Sequence, residues 1–389
     1  MNVPIARTAL LENEIESVLA PLRSGWLVQG PNVRAFEEKW AAFTGAAHAI
    51  AVTSCTTALH LSVAALGLKP GDEVIVPAFT WIATANIVEH QGATVRFCDI
   101  DPVTFNIDPD AAAAAVTPRT VGIIPVHLFG LAADMDAINA IAARHGLWVV
   151  EDAACGFGAT YRDRHTGTFG TTSAFSFHPR KAITTGEGGM ITTADASLAE
   201  KLRRLRDHGA AMSDLQRHLG PRPYLLADHP DAGYNQRMTD FQAALGSAQM
   251  DRAHEIVAER HAIADRFNAA FAGLDWLRTP AEPDGFRHGY QSYPCMFAPE
   301  PLTPEAIERV NERRNAWMDA LLKAGISTRP ATHAVHMLQF YREKYGLRPE
   351  DYPNAYAANH CSISLPLFHG MTDDEQAYVI DTVARGFAG

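Results

Sequence analysis

The chain reads as an α/β protein with a mostly parallel central sheet covered by helices on both faces, followed by a smaller C-terminal α+β domain. Three observations predict this. Short apolar strands alternate with helical stretches from residue 48 to 155, the pattern of a parallel sheet buried on both sides. The alternation then lapses, and from about residue 277 strands and helices mix without it. With 389 residues and 47% hydrophobic content, the chain can bury a large core and divide into two domains. The boundary is placed near residue 255, giving a large domain 1–255 and a small domain 256–389.

The elements follow in order. Residues 15–45 read as helix around the Gly/Pro-punctuated loop SGWLVQGPNV, with VRAFEEKWAAFTG resuming a 3.6 period that Gly45 stops. AIAVTS is a strand leading into the apolar helix CTTALHLSVAALGL, which ends at Gly67 and Pro70. DEVIVPAF and TVRFCDID are strands, with TWIATANIVEHQG the helix between them. TVGIIPVHLFG and LWVVEDAA are further strands, joined by the helix MDAINAIAARHG. TSAFSFHP and GGMITTA form two more strands around a Thr/Gly-rich loop that holds Lys181. One long helical region is expected over about 236–275. YQSYPCMF, a helix at 303–324 and SISLPLF make the small domain.

Composition excludes several functions. A net charge of −11 with 20% charged residues provides no basic stripe for a nucleic acid. The start MNVPIARTALLENEIESVLAPL lacks a basic region followed by an unbroken apolar run, so no secretory signal is expected. No apolar run reaches the ~18 residues a membrane span requires. The five cysteines are odd in number and contain no CxxC pair, which favours reduced thiols in a cytoplasmic enzyme.

Ligands of parallel sheets gather at the carboxyl ends of the strands, and three features fall there. Ser54, Thr56 and Thr57 put hydroxyls and backbone N–H groups at a helix start, which suits a phosphate or, more simply, an N-cap by Ser54. Asp152 ends the buried strand LWVVED, where it calls for a cation or a capping partner. Lys181 alone of six lysines sits between buried-looking strands, where desolvation favours a nucleophilic amine and a salt bridge is the plainer role. Trp81, just after DEVIVPAF, suits either ring stacking or the core. Together these ask for one ligand with a phosphate, a basic ring nitrogen and an aldehyde. Pyridoxal phosphate is such a ligand.

The ordered motifs SGWLVQGPNVRAFEEKWAAFTG, TSCTTALHL, GDEVIVPAFTWIATAN, VEDAACGFGATY, GTFGTTSAFSFHPRKAITTGEGGM and GYNQRMTDFQAALG resemble the DegT/StrS-type sugar aminotransferases. The likeness runs from about residue 10 to SLPLFHGMTDDE near the C-terminus. It implies a fold-type I pyridoxal-phosphate enzyme in which Lys181 carries the cofactor and shuttles the proton. It further implies that Asp152 keeps the pyridine nitrogen protonated and Trp81 stacks on the ring. Thr56, Thr57 and Ser176 match phosphate-binding positions, and Asn235 and Arg237 match residues that enter the partner subunit's site in a homodimer. His336 matches a histidine near the sugar. Two positions depart from the pattern: Cys155 stands where many relatives carry His or Gln to hold the cofactor's ring hydroxyl, and Cys55 where Gly or Ala is frequent.

The resemblance implies transfer of an amino group from glutamate or glutamine to a nucleotide-linked keto-deoxysugar. GISTRPATHAVHMLQFY is similar to members acting on 4-keto-6-deoxy hexoses, the perosamine type, with 3-keto sugars or aminocyclitols as alternatives. A dehydratase branch replaces the lysine with histidine, and Lys181 disfavours it. A non-catalytic regulator with the same fold has no chemical need for Lys181, Asp152 and Asn235. A metal site on His333, His336 and His360 lacks a carboxylate or Cys at helical spacing, so no metal is expected.

Overall fold

Seven stretches rich in Val, Ile and Thr form the main sheet: β1 (His48–Val52), β2 (Glu73–Pro77), β3 (Thr94–Cys98), β4 (Thr120–Ile123), β5 (Trp148–Asp152), β6 (Thr172–Ser176) and β7 (Gly189–Thr193). The computed structural model describes residues 1–212, 224 and 226–386. Across the sheet the order is β1-β7-β6-β5-β4-β2-β3. The strands from β6 to β3 run parallel, and β7 is antiparallel to both of its neighbours, β1 and β6. A parallel return needs a crossover of a dozen or more residues, usually a helix. The link from β6 to β7 holds no helix, so the chain folds straight back and its loop is left at the carboxyl end of β6.

Helices cover the sheet as the alternation predicts. They are α1 (Glu12–Ser24), α2 (Pro31–Thr44), α3 (Cys55–Ala65), α4 (Ala83–His90), α5 (Pro109–Ala114), α6 (Met135–His145) and α7 (Ala196–Leu205). Apolar residues at seven of the eleven positions of α3 suit its place against β6 and β7, where Ala58, Leu59 and Leu61 are buried. β2 and β7 are buried along their whole length, as strands covered on both faces must be.

The expected helix over 236–275 is two helices, α8 (Asp240–Met250) and α9 (Ala253–Phe271). The break at Asp251 and Arg252 is held by ion pairs rather than by Gly or Pro. Lys39 of α2 takes Asp251 at 2.5 Å, and Arg252 takes Glu14 of α1 at 2.6 Å. This lets α8 pack against α1 and α2. The helix expected over 80–92 starts three residues late, because Phe79–Thr80 pairs with His333–Ala334. The strand expected through SISLPLF ends at Leu365.

The C-terminal part carries an antiparallel sheet of β8 (Leu277–Arg278), β9 (Tyr293–Phe297) and β10 (Ser362–Leu365) in that order. Its helices are α10 (Pro304–Lys323), α11 (Gln339–Tyr345), α12 (Pro353–Cys361) and α13 (Asp373–Ala384). Residue 255 lies in the first turn of α9. One apolar cluster runs from Ile50 and Val74 of the main sheet through Phe267 and Tyr293 to Val379.

Candidate active site

The strands β1, β5 and β6 point the same way and deliver Ser54, Asp152 and Ser176 to one edge of the sheet. Asp152 is 4% exposed. Its Oδ2 accepts from Thr84 Oγ1 at 2.7 Å and its Oδ1 from the Ala154 N–H at 3.1 Å. Thr84 shares a further hydrogen bond with Thr80 at 3.1 Å. Burial raises the Asp152 carboxyl above its ordinary range, against the lowering pull of Thr84, Ala154 and Lys181. A buried acid in this state gains most from a cationic partner at its open edge. Replacing Thr84 with Val should destabilise the fold by about 1–3 kcal/mol, read as a lower midpoint in chemical unfolding.

Side chains alternate along a strand, so Glu151 faces away from Asp152. It is fully buried, and its Oε1 accepts from Phe169 N (2.8 Å), Gly170 N (2.6 Å) and Ser173 Oγ (2.9 Å). Its Oε2 accepts from Gly167 N (2.7 Å) and His127 Nε2 (2.7 Å). His127 Nδ1 accepts from Ala133 N at 3.1 Å, which puts the ring proton on Nε2, facing Glu151. The backbone closes the unit: His127 N donates to Asp152 O at 3.0 Å, and Asp152 N to Pro125 O at 2.9 Å. Sequence reading singled out neither Glu151 nor His127. Their only signal was a second carboxylate and a lone imidazole in otherwise apolar strands.

Lys181 sits in the loop between β6 and β7. The loop is pinned at its base by Phe177 N to Gly188 O (2.9 Å) and Thr185 N to Phe177 O (3.1 Å). Buried Gln249 of α8 clamps Thr184, accepting from its N–H at 3.0 Å and donating to its carbonyl at 2.6 Å. Gly186 turns the chain at φ 81°, a conformation glycine adopts without strain. Lys181 itself is half-buried, and its Nζ donates to Cys155 Sγ at 3.1 Å. Trp40, Ala154, Cys155, Phe175, Ser176 and Lys181 line a common small cavity.

The start of α3 supports both readings of its hydroxyls. Ser54 Oγ accepts from Thr57 N at 3.1 Å as an N-cap, and the Thr57 hydroxyl bonds to Thr53 at 3.0 Å and Ser54 at 2.9 Å. Thr56 is exposed beside them, and first-turn N–H groups have no intrahelical acceptor. A Cβ on Gly189 would lie 2.4 Å from Ser54 O and 2.7 Å from Cys55 N. Only glycine at the head of β7 lets this helix start approach the sheet edge so closely.

Trp81 is 57% exposed, with its ring edge-on to His333 at 5.5 Å, so it is not a core aromatic. Gln236 O accepts from Thr53 N at 3.2 Å, and Arg237 bridges Val52, which brings GYNQRM beside the end of β1. Asn235 is exposed there, while the Arg237 guanidinium pairs with the Asp207 carboxylate. His336 lies inside the fold. It is 0% exposed against Tyr352, and burial pushes its imidazole down to about 4. The neighbouring exposed ring is His333, because the His333–Ala334 strand is tied edge-to-edge to Phe79–Thr80.

A lysine amine, a buried acid, a helix start and an exposed indole at the carboxyl edge of a mostly parallel sheet fit a class, the pyridoxal-phosphate-dependent enzymes. The residues fit the group: Asp152 buried and short of a cation, Lys181 on a cavity, and α3 brought close by Gly189. Comparison with known proteins narrows the class. The DegT/DnrJ/EryC1/StrS aminotransferase family matches residues 9–384. The spore coat polysaccharide biosynthesis protein SpsC of Bacillus subtilis is 40% identical over 382 residues, covering 98% of this chain and 96% of SpsC. Spr1654 of Streptococcus pneumoniae in its PMP form superposes with a TM-score of 0.90 at 30% identity, covering 98% of each chain. Its PLP form gives 0.89. DesV of S. venezuelae gives 0.87 at 31% identity, covering 100% of this chain and 99% of DesV. The chain belongs to the DegT/DnrJ/EryC1/StrS family and is a pyridoxal-phosphate-dependent aminotransferase.

Proposed function

We propose that this aminotransferase moves an amino group from glutamate or glutamine to a nucleotide-linked 4-keto-6-deoxy hexose, giving the 4-amino sugar. The reading rests on one juxtaposition: the Lys181 amine and the buried Asp152 acid on one sheet edge, with no histidine in the lysine's place. The likeness of GISTRPATHAVHMLQFY to perosamine-type members supports the choice of sugar. The relation to SpsC supports a role in polysaccharide synthesis.

Pyridoxal phosphate, when bound, supplies an aldehyde that takes up the amino group and a ring that accepts electron density. The chain supplies the rest. Lys181 would hold the cofactor through its Nζ and would supply the amine that serves as proton carrier. Asp152 holds the ring nitrogen protonated, and Thr84 and Ala154 N fix the direction of its carboxyl. Thr56, Thr57, Ser176 and the α3 start would hold the phosphate, and Trp81 would stack on the ring. Cys155 takes the ring-hydroxyl position as a weaker donor. Asp152→Asn should fold and lower kcat by about 10²–10⁴-fold, measured in steady-state assays.

The active form is read as a homodimer with shared sites. Leu11, Ile15 and Leu22 leave apolar surface on and beside α1, and Asn235 is exposed next to β1. Arg237 is the companion residue for the partner's site. The five free cysteines suit the cytoplasm. Among the described residues no helix is long and apolar enough to cross a membrane. A division near residue 255 between a cofactor-binding and a smaller domain completes the proposal.

A side-by-side assay with 4-keto-6-deoxy sugars, 3-keto sugars and inososes, each with glutamate and glutamine, tests the substrate. Amination of the 4-keto sugar is the expected result. Turnover confined to 3-keto sugars or inososes overturns it.

A further inference from the structure

Two thiols face the lysine, and their surroundings differ. Burial raises the Cys55 thiol well above its ordinary range, Asp152 pushes it further, and its Sγ leans on Ala174 O at 3.6 Å. Cys55 is thereby kept as an unreactive thiol. Cys155 is instead in direct contact with the Lys181 Nζ at 3.1 Å. The Arg260 guanidinium lies within electrostatic reach of it. Arg260 of α9 is 2% exposed, donates to Gln291 O at 2.9 Å, and leaves its Nε without a partner. It forms no salt bridge among the described residues. Burial drives its guanidinium down to about 10, and negative charge on Cys155 opposes that shift. Cys155 thus stands in contact with the Lys181 nitrogen and within electrostatic reach of a buried guanidinium. Cys155 and Lys181 line one small cavity together.

We propose that Cys155 and Lys181 form a redox latch, in which oxidation joins the sulfur to the lysine nitrogen and closes the cofactor position. Hydrogen peroxide oxidises the Cys155 thiol by two electrons, giving the sulfenic acid and one water. The Lys181 amine then attacks the sulfur. The S–N bond forms, the S–O bond breaks, and the hydroxyl leaves with an amine proton as a second water. A thiol reductant reverses the latch: one thiol opens the S–N bond and frees the amine, and a second releases Cys155 from the mixed disulfide. The contact of 3.1 Å already places the reacting atoms together without backbone movement. The latch registers cofactor-free protein under oxidation and spares Cys155 from irreversible oxidation. That consequence rests on Lys181 being the cofactor lysine, whereas the cross-link itself does not.

The test treats the full-length protein, freed of cofactor, with equimolar hydrogen peroxide and reads intact mass and peptide maps. The expected product is about 2 Da lighter than the reduced chain and links the Cys155 peptide to the Lys181 peptide. Dithiothreitol should reverse it. Cys155→Ser should abolish the loss, and Cys55→Ser should keep it. A loss that vanishes in Cys55→Ser means a disulfide and overturns the latch. Gains of about 16, 32 or 48 Da at Cys155 without a cross-link also overturn it. So does an unchanged mass. Preloading with pyridoxal phosphate should prevent the cross-link. A cross-link that forms equally with the cofactor present counts against the assignment of Lys181, and leaves the latch standing.

Discussion

Lys181→Ala should fold like the parent chain and lose aminotransferase turnover by at least about 10³-fold. Folding should survive because Lys181 is half-buried, and the hydrogen bond from its Nζ goes to the Cys155 thiol rather than to a buried carboxylate. The loop that carries it is held by others. Gln249 clamps Thr184, and Phe177 meets Gly188 and Thr185, none of which involves the lysine side chain. Turnover should fail because, among the described residues, no other lysine stands on this sheet edge to take the proposed role of Lys181. Two measurements check it: unfolding midpoint against parent, and initial rates with a keto sugar and glutamate. The visible absorbance of bound cofactor should change in the variant. Retained turnover would remove Lys181 from the mechanism, and a non-catalytic chain would show no difference in rate at all.

Glu151→Gln should be the most damaging conservative change to stability, at about 3–5 kcal/mol. Five donors converge on this carboxylate, three on Oε1 and two on Oε2. An amide turns one acceptor into a donor, so at least two buried N–H groups would face N–H. Burial alone would push the Glu151 carboxyl up; His127 and the N–H groups of Gly170 and Gly167 outweigh it and hold it below its ordinary range. A depressed folded-state pKa gives stability that is present above the unfolded carboxyl's value, about 4.3, and lost as pH falls through the folded value. The parent should therefore lose stability on acidification in that window, and Glu151→Gln should lose less there. Urea midpoints measured from pH 7 down to pH 3 would show it. Parallel pH curves for the two proteins would mean that the charge on Glu151 contributes nothing.

The site was legible where function demands an unusual residue in an apolar setting. Lys181 among six lysines, Asp152 closing LWVVED, and the hydroxyl cluster opening α3 were all visible as exceptions. Residues that act through them were not. Thr84 lies 68 positions from Asp152, and Gln249 lies 65 from Thr184. Their types, Thr and Gln, are ordinary on helices, and only contact reveals the role. Arg260 sits within α9 and is buried, a placement that no local pattern marks. Packing against Tyr352 encloses His336 and leaves His333 outside, a difference that the HAVH motif does not record.

Periodicity alone determined the layered α/β class, because burial on both faces of parallel strands and on one stripe of each helix dictates the apolar pattern. Motif order determined the cofactor, since its phosphate, ring nitrogen and aldehyde each require a distinct group. Tertiary structure alone decided that β7 returns antiparallel, that the long helix breaks at Arg252, and that Cys155 meets the Lys181 amine. These depend on contacts between residues far apart in sequence, whose free energies no local pattern records.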